Sequence, residues 1–216
     1  AFAIDYRLEA THFLVEAAAV RDAIYDVKAA IRFLAKNAEN FGIDSNRIVV
    51  WGSSAGAIVA ASVSFVAAEG DSGNPGYPSN VSAAVGISGC LWPFILGAAG
   101  KQPSGSWSPT PWLDIHGDSD TVVFPFLAAI TYTFLNDLGV PSSANRLAMI
   151  QGAGHVPWGQ VSRPGSVDAS HALRPHVQAF LVQALHLDDR RECSSPASPA
   201  LPEETQPGIA STGNVV

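Results

Sequence analysis

The chain has 216 residues, 47% apolar and only 14% charged, with 12 Lys and Arg against 19 Asp and Glu for a net charge of −7. That length suits one domain, and the acidic balance argues against nucleic acid or an anionic membrane surface, because phosphate groups are bound by clustered cations. Two cysteines, Cys90 and Cys193, are too few for a disulfide-dense scaffold or a four-cysteine zinc site.

The chain opens at Ala1, with Phe-Ala-Ile-Asp-Tyr over residues 2–6 already reading as a buried strand. A strand under way at the first residue points to the C-terminal part of a longer protein. Residues 10–19 suit either a loop or the start of the next helix. Val20, Ile24, Val27, Ile31 and Leu34 recur at steps of four and three, the apolar face of a helix. Arg21, Asp22, Lys28 and Arg32 fall on its other faces. Residues 40–46 carry turn chemistry. Arg47–Trp51 is a short continuous apolar run, as expected of a strand covered on both sides.

Ala55–Ala68 is apolar almost all round and predicts a buried helix, too short to span a bilayer. Glu69–Ser79, rich in Gly, Pro, Asp and Ser, predicts a surface loop, and Val81–Ser88 the next strand. Residues 91–110 read as irregular. Trp112–His116 predicts a strand, Phe124–Leu138 a helix stopped by Gly139 and Pro141, and Arg146–Ile150 a strand. Pro175 suits the first turn of a last helix running to about Leu187. The expected division is a core over residues 1–189 and a disordered tail over 190–216, rich in Ser, Pro, Glu and Thr. Strands alternating with helices imply an α/β fold, a mostly parallel sheet with helices on both faces. Such sheets gather their chemistry at the C-terminal strand ends.

Gly52-Ser53-Ser54-Ala55-Gly56 sits between a predicted strand and a predicted helix. A tight turn there would hold Ser54 in a strained backbone, with glycines removing side chains that would collide, and lift its Oγ above the sheet. The Ala55 N–H would be placed to donate to an oxyanion. A serine hydroxyl needs a base. His155, in Gly152-Ala-Gly-His, follows the last predicted strand on a Gly-rich loop that can carry an imidazole to the serine. His116 ends a strand and competes, although a buried, turn-shaping role suits it better. A carboxylate must orient the base, and Asp118 and Asp120, in His116-Gly-Asp-Ser-Asp120, both qualify by position. The order Ser, acid, His is that of an α/β-hydrolase. No histidine pair has zinc-site spacing, and neither a metal nor an organic cofactor is implied.

These pieces, with Asp5-Tyr-Arg-Leu8, Asp26-Val-Lys-Ala-Ala-Ile-Arg-Phe-Leu34 and Phe41-Gly-Ile-Asp-Ser-Asn-Arg-Ile48, resemble the C-terminal two-thirds of an α/β-hydrolase esterase. The resemblance is to the carboxylesterases related to hormone-sensitive lipase and to bacterial feruloyl esterases, and covers residues 2–187. It implies an N-terminally incomplete α/β-hydrolase that hydrolyses a small-molecule carboxylic ester through an acyl-enzyme. It maps the acid to Asp120 and leaves Asp118 a decoy. It also implies that residues 2–6 are the fourth strand and that a third strand belongs between them and the fifth. A His-Gly-Gly-Gly-type oxyanion loop precedes the Asp-Tyr-Arg strand in such proteins, and this chain starts after that point. The alternative is therefore an inactive hydrolase-fold fragment or binding protein. Trp92 and Trp158 are candidates for lining the substrate pocket.

Overall fold

The computed structural model describes residues 1–8, 17–63, 66, 68–91, 110–157 and 169–187. The expected tail over 190–216, all but the two end residues of the irregular segment expected over 91–110, Trp92, Trp158 and Cys193 lie outside the described residues.

Helix α1 spans Ala17–Lys36 and a single turn, α2, spans Ala38–Phe41, closed by Gly42 at φ 62°. Strand β1 (Val49–Ser53) leads into α3 (Ala55–Ser62), followed by β2 (Ala83–Ile87) and β3 (Trp112–Gly117). Helix α4 (Pro125–Asp137), β4 (Asn145–Ile150) and α5 (Ala169–Ala184) complete the described elements. The four strands form one sheet in the order β1-β2-β3-β4, every pairing parallel. Their C-terminal ends therefore share one edge. The expected α/β architecture with a parallel sheet is what the chain adopts.

Alternation along the strands sends side chains to two cores. On one side Val50, Ala84 and Trp112 join Val20, Ile24, Val27 and Ile31 of α1, Ile58 and Val59 of α3, and Leu135 of α4. On the other, Ala83, Val85, Leu113 and Ile115 meet Leu173, Val177 and Phe180 of α5. Each fully buried Ile, Leu or Val contributes roughly 1.5–3 kcal/mol relative to exposure, so these stripes dominate the fold's stability. The i, i+2 spacing that puts Leu113 and Ile115 on the α5 side puts Asp114 and His116 together on the opposite face. Among the described residues, no helix is long and apolar enough to cross a membrane.

Several boundaries differ from expectation. Strand β1 begins two residues later than the apolar run and continues through Gly52 and Ser53, because its ladder with β2 runs on to Ile87. Helix α3 stops at Ser62, where the hydroxyl bonds back to the Ile58 carbonyl at 2.6 Å. Pro175 lies inside α5, which starts six residues before it. Lys28 and Arg32 are buried, because Glu69 and the loop after it fold over them: Arg32 meets the Glu69 carboxylate and donates to the carbonyls of Glu69 and Gly73.

Residues 2–6 are not a strand. They run as an irregular segment, with Phe2 exposed and set edge-on to Phe41 at 5.2 Å between ring centroids. Arg7 clips this segment to α1 through Asp26. A strand must lie about 4.8 Å from its partner, and here a groove of about 590 Å³ intervenes between the segment and β1, lined by Phe2, Ile4, Ile31, Val50, Trp51 and Val59.

Candidate active site

The ladder carries two serines to matched positions. Ser53 pairs with Ile87, so Ser54 and Ser88 are the first residues beyond β1 and β2. Ile87 in turn pairs with Ile115, which places His116 next along the same edge. The ladder continues past the strands: the Ser54 N–H donates to the Ile87 carbonyl at 2.9 Å, and the Ser88 N–H to the Ile115 carbonyl at 2.9 Å.

Ser54 has φ 53° and ψ −121°, a conformation that side chains with a Cβ rarely adopt and that costs on the order of 1–3 kcal/mol. It caps α3, and its carbonyl accepts from the N–H groups of Ala57 and Ile58. Gly52 permits the turn: a Cβ there would stand 2.2 Å from the Gly56 carbonyl group. Gly56 differs from expectation, since a Cβ on it would meet nothing within 4 Å. It borders the groove beside β1 instead. Ala55 opens the helix, and the first N–H groups of a helix have no acceptor within it.

His155 enters from the loop after β4. Its Nε2 lies 2.9 Å from Ser54 Oγ and its Nδ1 2.8 Å from Asp120 Oδ2. The imidazole is 22% exposed and the Asp120 side chain fully buried. The expected serine, acid and histidine are thus brought into one chain of contacts from the ends of three strands. The loop is held tightly: the Ser119 N–H donates to the Ala153 carbonyl at 2.9 Å, and a Cβ on Gly117 would lie 2.3 Å from the carbonyl oxygens of Ala153 and Gly154. Asp118, the other carboxylate of the turn, is exposed and accepts the Gly152 N–H at 2.7 Å, which fastens the foot of the same loop.

Asp120 Oδ1 accepts the N–H groups of Val122 and Val123 at 2.8 and 3.0 Å. Burial alone would raise the carboxyl, but bonds from His155, Val122, Val123 and the Ser88 hydroxyl outweigh it and hold Asp120 below the usual carboxylate range. His116 is fully buried behind it. Its Nε2 faces two acceptors, the Val123 carbonyl at 2.9 Å and Asp120 Oδ2 at 3.3 Å, and so carries a proton. Its Nδ1 lies 3.2 Å from Asp114. Burial opposes a charged imidazole, but Asp114, Val123 and Asp120 prevail and raise its pKa, while burial raises that of Asp114. His116 is thus the buried, turn-shaping residue expected. Burial and the nearby Asp114 push the Cys90 thiol up to about 12, so it is no nucleophile at neutral pH.

Two residues at the site escape sequence reasoning. The buried Ser88 (φ 56°) accepts the N–H of Val156 (φ 53°) at 2.9 Å. The only local trace is a Ser-Gly pair after an apolar run, a weak turn signal. Among the described residues, no group of three or more His, Cys, Asp or Glu is placed to hold a metal ion.

A family model described as BD-FAE matches residues 1–90. No curated protein matches. Among solved structures, the chain is similar to a thermophilic esterase, Est2, of the planctomycete Thermogutta terrifontis. That pairing has 24% identity over 87% of this chain and 71% of the other, with a TM-score of 0.61. The propionate-bound form of Est2 matches at 24% identity over 83% and 70% of the two chains, with a TM-score of 0.59. SOBER1 F65L of Arabidopsis thaliana matches at 19% identity over 79% and 67%, with a TM-score of 0.54. The fold is that of the α/β-hydrolases.

Proposed function

We propose that the chain is a serine-dependent carboxylic-ester hydrolase working through an acyl-enzyme. The observation that carries this reading is the continuous relay Ser54 Oγ, His155 Nε2, His155 Nδ1, Asp120 Oδ2, with steps of 2.9 and 2.8 Å across the ring. Ser54 attacks the ester carbonyl as His155 takes the hydroxyl proton. Asp120 fixes the tautomer and stabilises the imidazolium that forms. The Ala55 N–H donates to the oxyanion at the positive end of α3. The imidazolium returns its proton to the leaving alkoxide and the alcohol departs. Water, deprotonated by the same imidazole, then hydrolyses the acyl-serine, and the proton returns to Ser54. The likeness to the esterase Est2 supports an ester as substrate. Trp92 and Trp158 remain proposed pocket residues.

A fluorophosphonate probe and a panel of chromogenic esters of increasing acyl length test the reading. Labelling at Ser54 with turnover of at least one ester is expected. Ser54→Ala should abolish labelling and lower turnover roughly 10⁵–10⁶-fold, the scale for removing a triad serine. Labelling of Ser53 instead, or turnover that survives Ser54→Ala, would overturn it. Labelling without turnover of any ester would favour the inactive-fragment alternative.

A further inference from the structure

Ser88 sits between the nucleophile turn and the acid, one strand from each, and the relay as written makes no use of it. Its side chain is fully buried, and a buried hydroxyl is expected to have both its donor and its acceptor capacity met. The partners are specific. The oxygen accepts the Val156 N–H at 2.9 Å, and the hydroxyl is one of the groups that favour the Asp120 carboxylate. The Val156 N–H belongs to the peptide unit that leaves His155, so fixing that plane fixes the ψ of His155. The Asp120 carboxylate is what the His155 side chain leans on through Nδ1. One hydroxyl therefore bears on the backbone of His155 directly and on its ring by way of Asp120.

The local backbone is held at a cost. Ser88 and Val156 both have positive φ, and for a β-branched residue such as Val156 this is a strained state. Strain of this kind persists only where the surroundings enforce it, and here the two strained residues bond to each other. We infer that Ser88 is a positioning residue for the hydrolytic site, whose hydroxyl aims His155 at Ser54 by holding the Val156 peptide. This rests on the hydrolase reading for its consequence in turnover, but not for its effect on His155 itself.

The test uses the full chain with Ser88→Ala, which keeps the Cβ and loses the hydroxyl, and Ser88→Gly, which also relieves the strain. Ser88→Cys supplies a weak donor and acceptor in the same place. Ester kinetics, thermal midpoints and the ring NMR signals of His155, assigned by their loss in His155→Gln, are read on each. In Ser88→Ala, kcat should fall about 10–100-fold with KM nearly unchanged, as a displacement of order 1 Å in a catalytic group costs about 10². The His155 ring signals should shift as the imidazole leaves its place between Ser54 and Asp120, and Ser88→Cys should recover part of both. An unchanged kcat and unchanged His155 ring signals in Ser88→Ala would overturn the inference. So would activity losses that merely follow lowered thermal midpoints while the ring signals stay still. If the wild-type chain turns over no ester but the His155 ring signals move in Ser88→Ala, the positioning role stands and the hydrolase reading falls.

Discussion

Two carboxylates of this chain are kept ionised, in two regions, by opposite means. Asp26, on α1, meets the Arg7 guanidinium at 2.8–3.1 Å and accepts the Arg7 N–H at 2.9 Å. Burial acts to raise its carboxyl, but the bonds from Arg7 and Ser72 and the charge of Arg7 bring it down to about 2. Asp120, at the strand ends, has no Arg or Lys paired with it among the described residues. Its donors are two peptide N–H groups, a hydroxyl and two imidazoles. The difference decides what each carboxylate can do. A guanidinium cancels the charge it binds, so Asp26 serves to fasten the N-terminal segment. Peptide, hydroxyl and imidazole donors hold a carboxylate in place without a permanent cation against it, leaving much of its negative charge available to a third group, here His155.

The sharpest way to break this comparison is Asp120→Asn. The amide fits the space but lacks the charge and allows the wrong tautomer of His155. Ester turnover should fall by about 10⁴, the scale of the corresponding change in a serine protease. Asp118→Asn, which touches only the foot of the loop, should cost less than about tenfold, since it is a loop-fastening bond and not a charge on the imidazole. Steady-state kinetics on both variants decide it. The reverse ranking would mean that Asp118 does the orienting.

Much of this geometry could be read from the chain, and the part that could not has a physical reason. Ser54 is legible because the turn that exposes it demands Gly52 two residues earlier, a local requirement written locally. His155 is legible as an imidazole on a glycine loop after a strand. Choosing Asp120 over Asp118 needed a family resemblance, because both stand in one turn and only packing separates a buried carboxylate from an exposed one. Ser88 is invisible for a stronger reason. Its importance comes from the register that sets Ile87 beside Ser53 and Ile115, and register is a long-range property with no local signature. The same reasoning covers Lys28 and Arg32, whose burial depends on a loop some 40 positions on. It also covers residues 2–6, whose apolar run suits a strand but which run as an irregular segment beside the groove at β1.

Acid titration sharpens the comparison at a smaller scale. The base must be neutral to accept the serine proton, so kcat/KM should fall tenfold per pH unit below its midpoint. Asp120, held below the usual carboxylate range, stays ionised throughout that fall. The limb should therefore have a slope of one, from a single proton on His155. A slope of two would mean that Asp120 titrates together with the ring and that its cage of donors does not keep it charged. The accompanying stability has the sign of a depressed carboxyl: it is present above the ordinary range and lost only as pH drops through the folded value.

The smallest effect belongs to the other carboxylate. Asp26→Asn should leave ester turnover unchanged, because the Arg7 clip lies at the N-terminal segment and contributes nothing to the relay. The Arg7 side chain is 53% exposed, so solvent and salt screen the pair, and the thermal midpoint should move by no more than about 2 °C at neutral pH. The pH dependence identifies the source of that shift. With the folded carboxyl brought down to about 2, the wild-type advantage should be complete above the ordinary Asp range and shrink as pH falls toward that value, since the unfolded chain then takes up the proton more readily. It should also shrink with added salt, as the interaction of exposed charges does. Melting curves of both proteins at several pH values and two ionic strengths measure this. A large loss of turnover in Asp26→Asn without a matching loss of stability would show that the clip reaches the strand ends after all, and that the two regions are not independent.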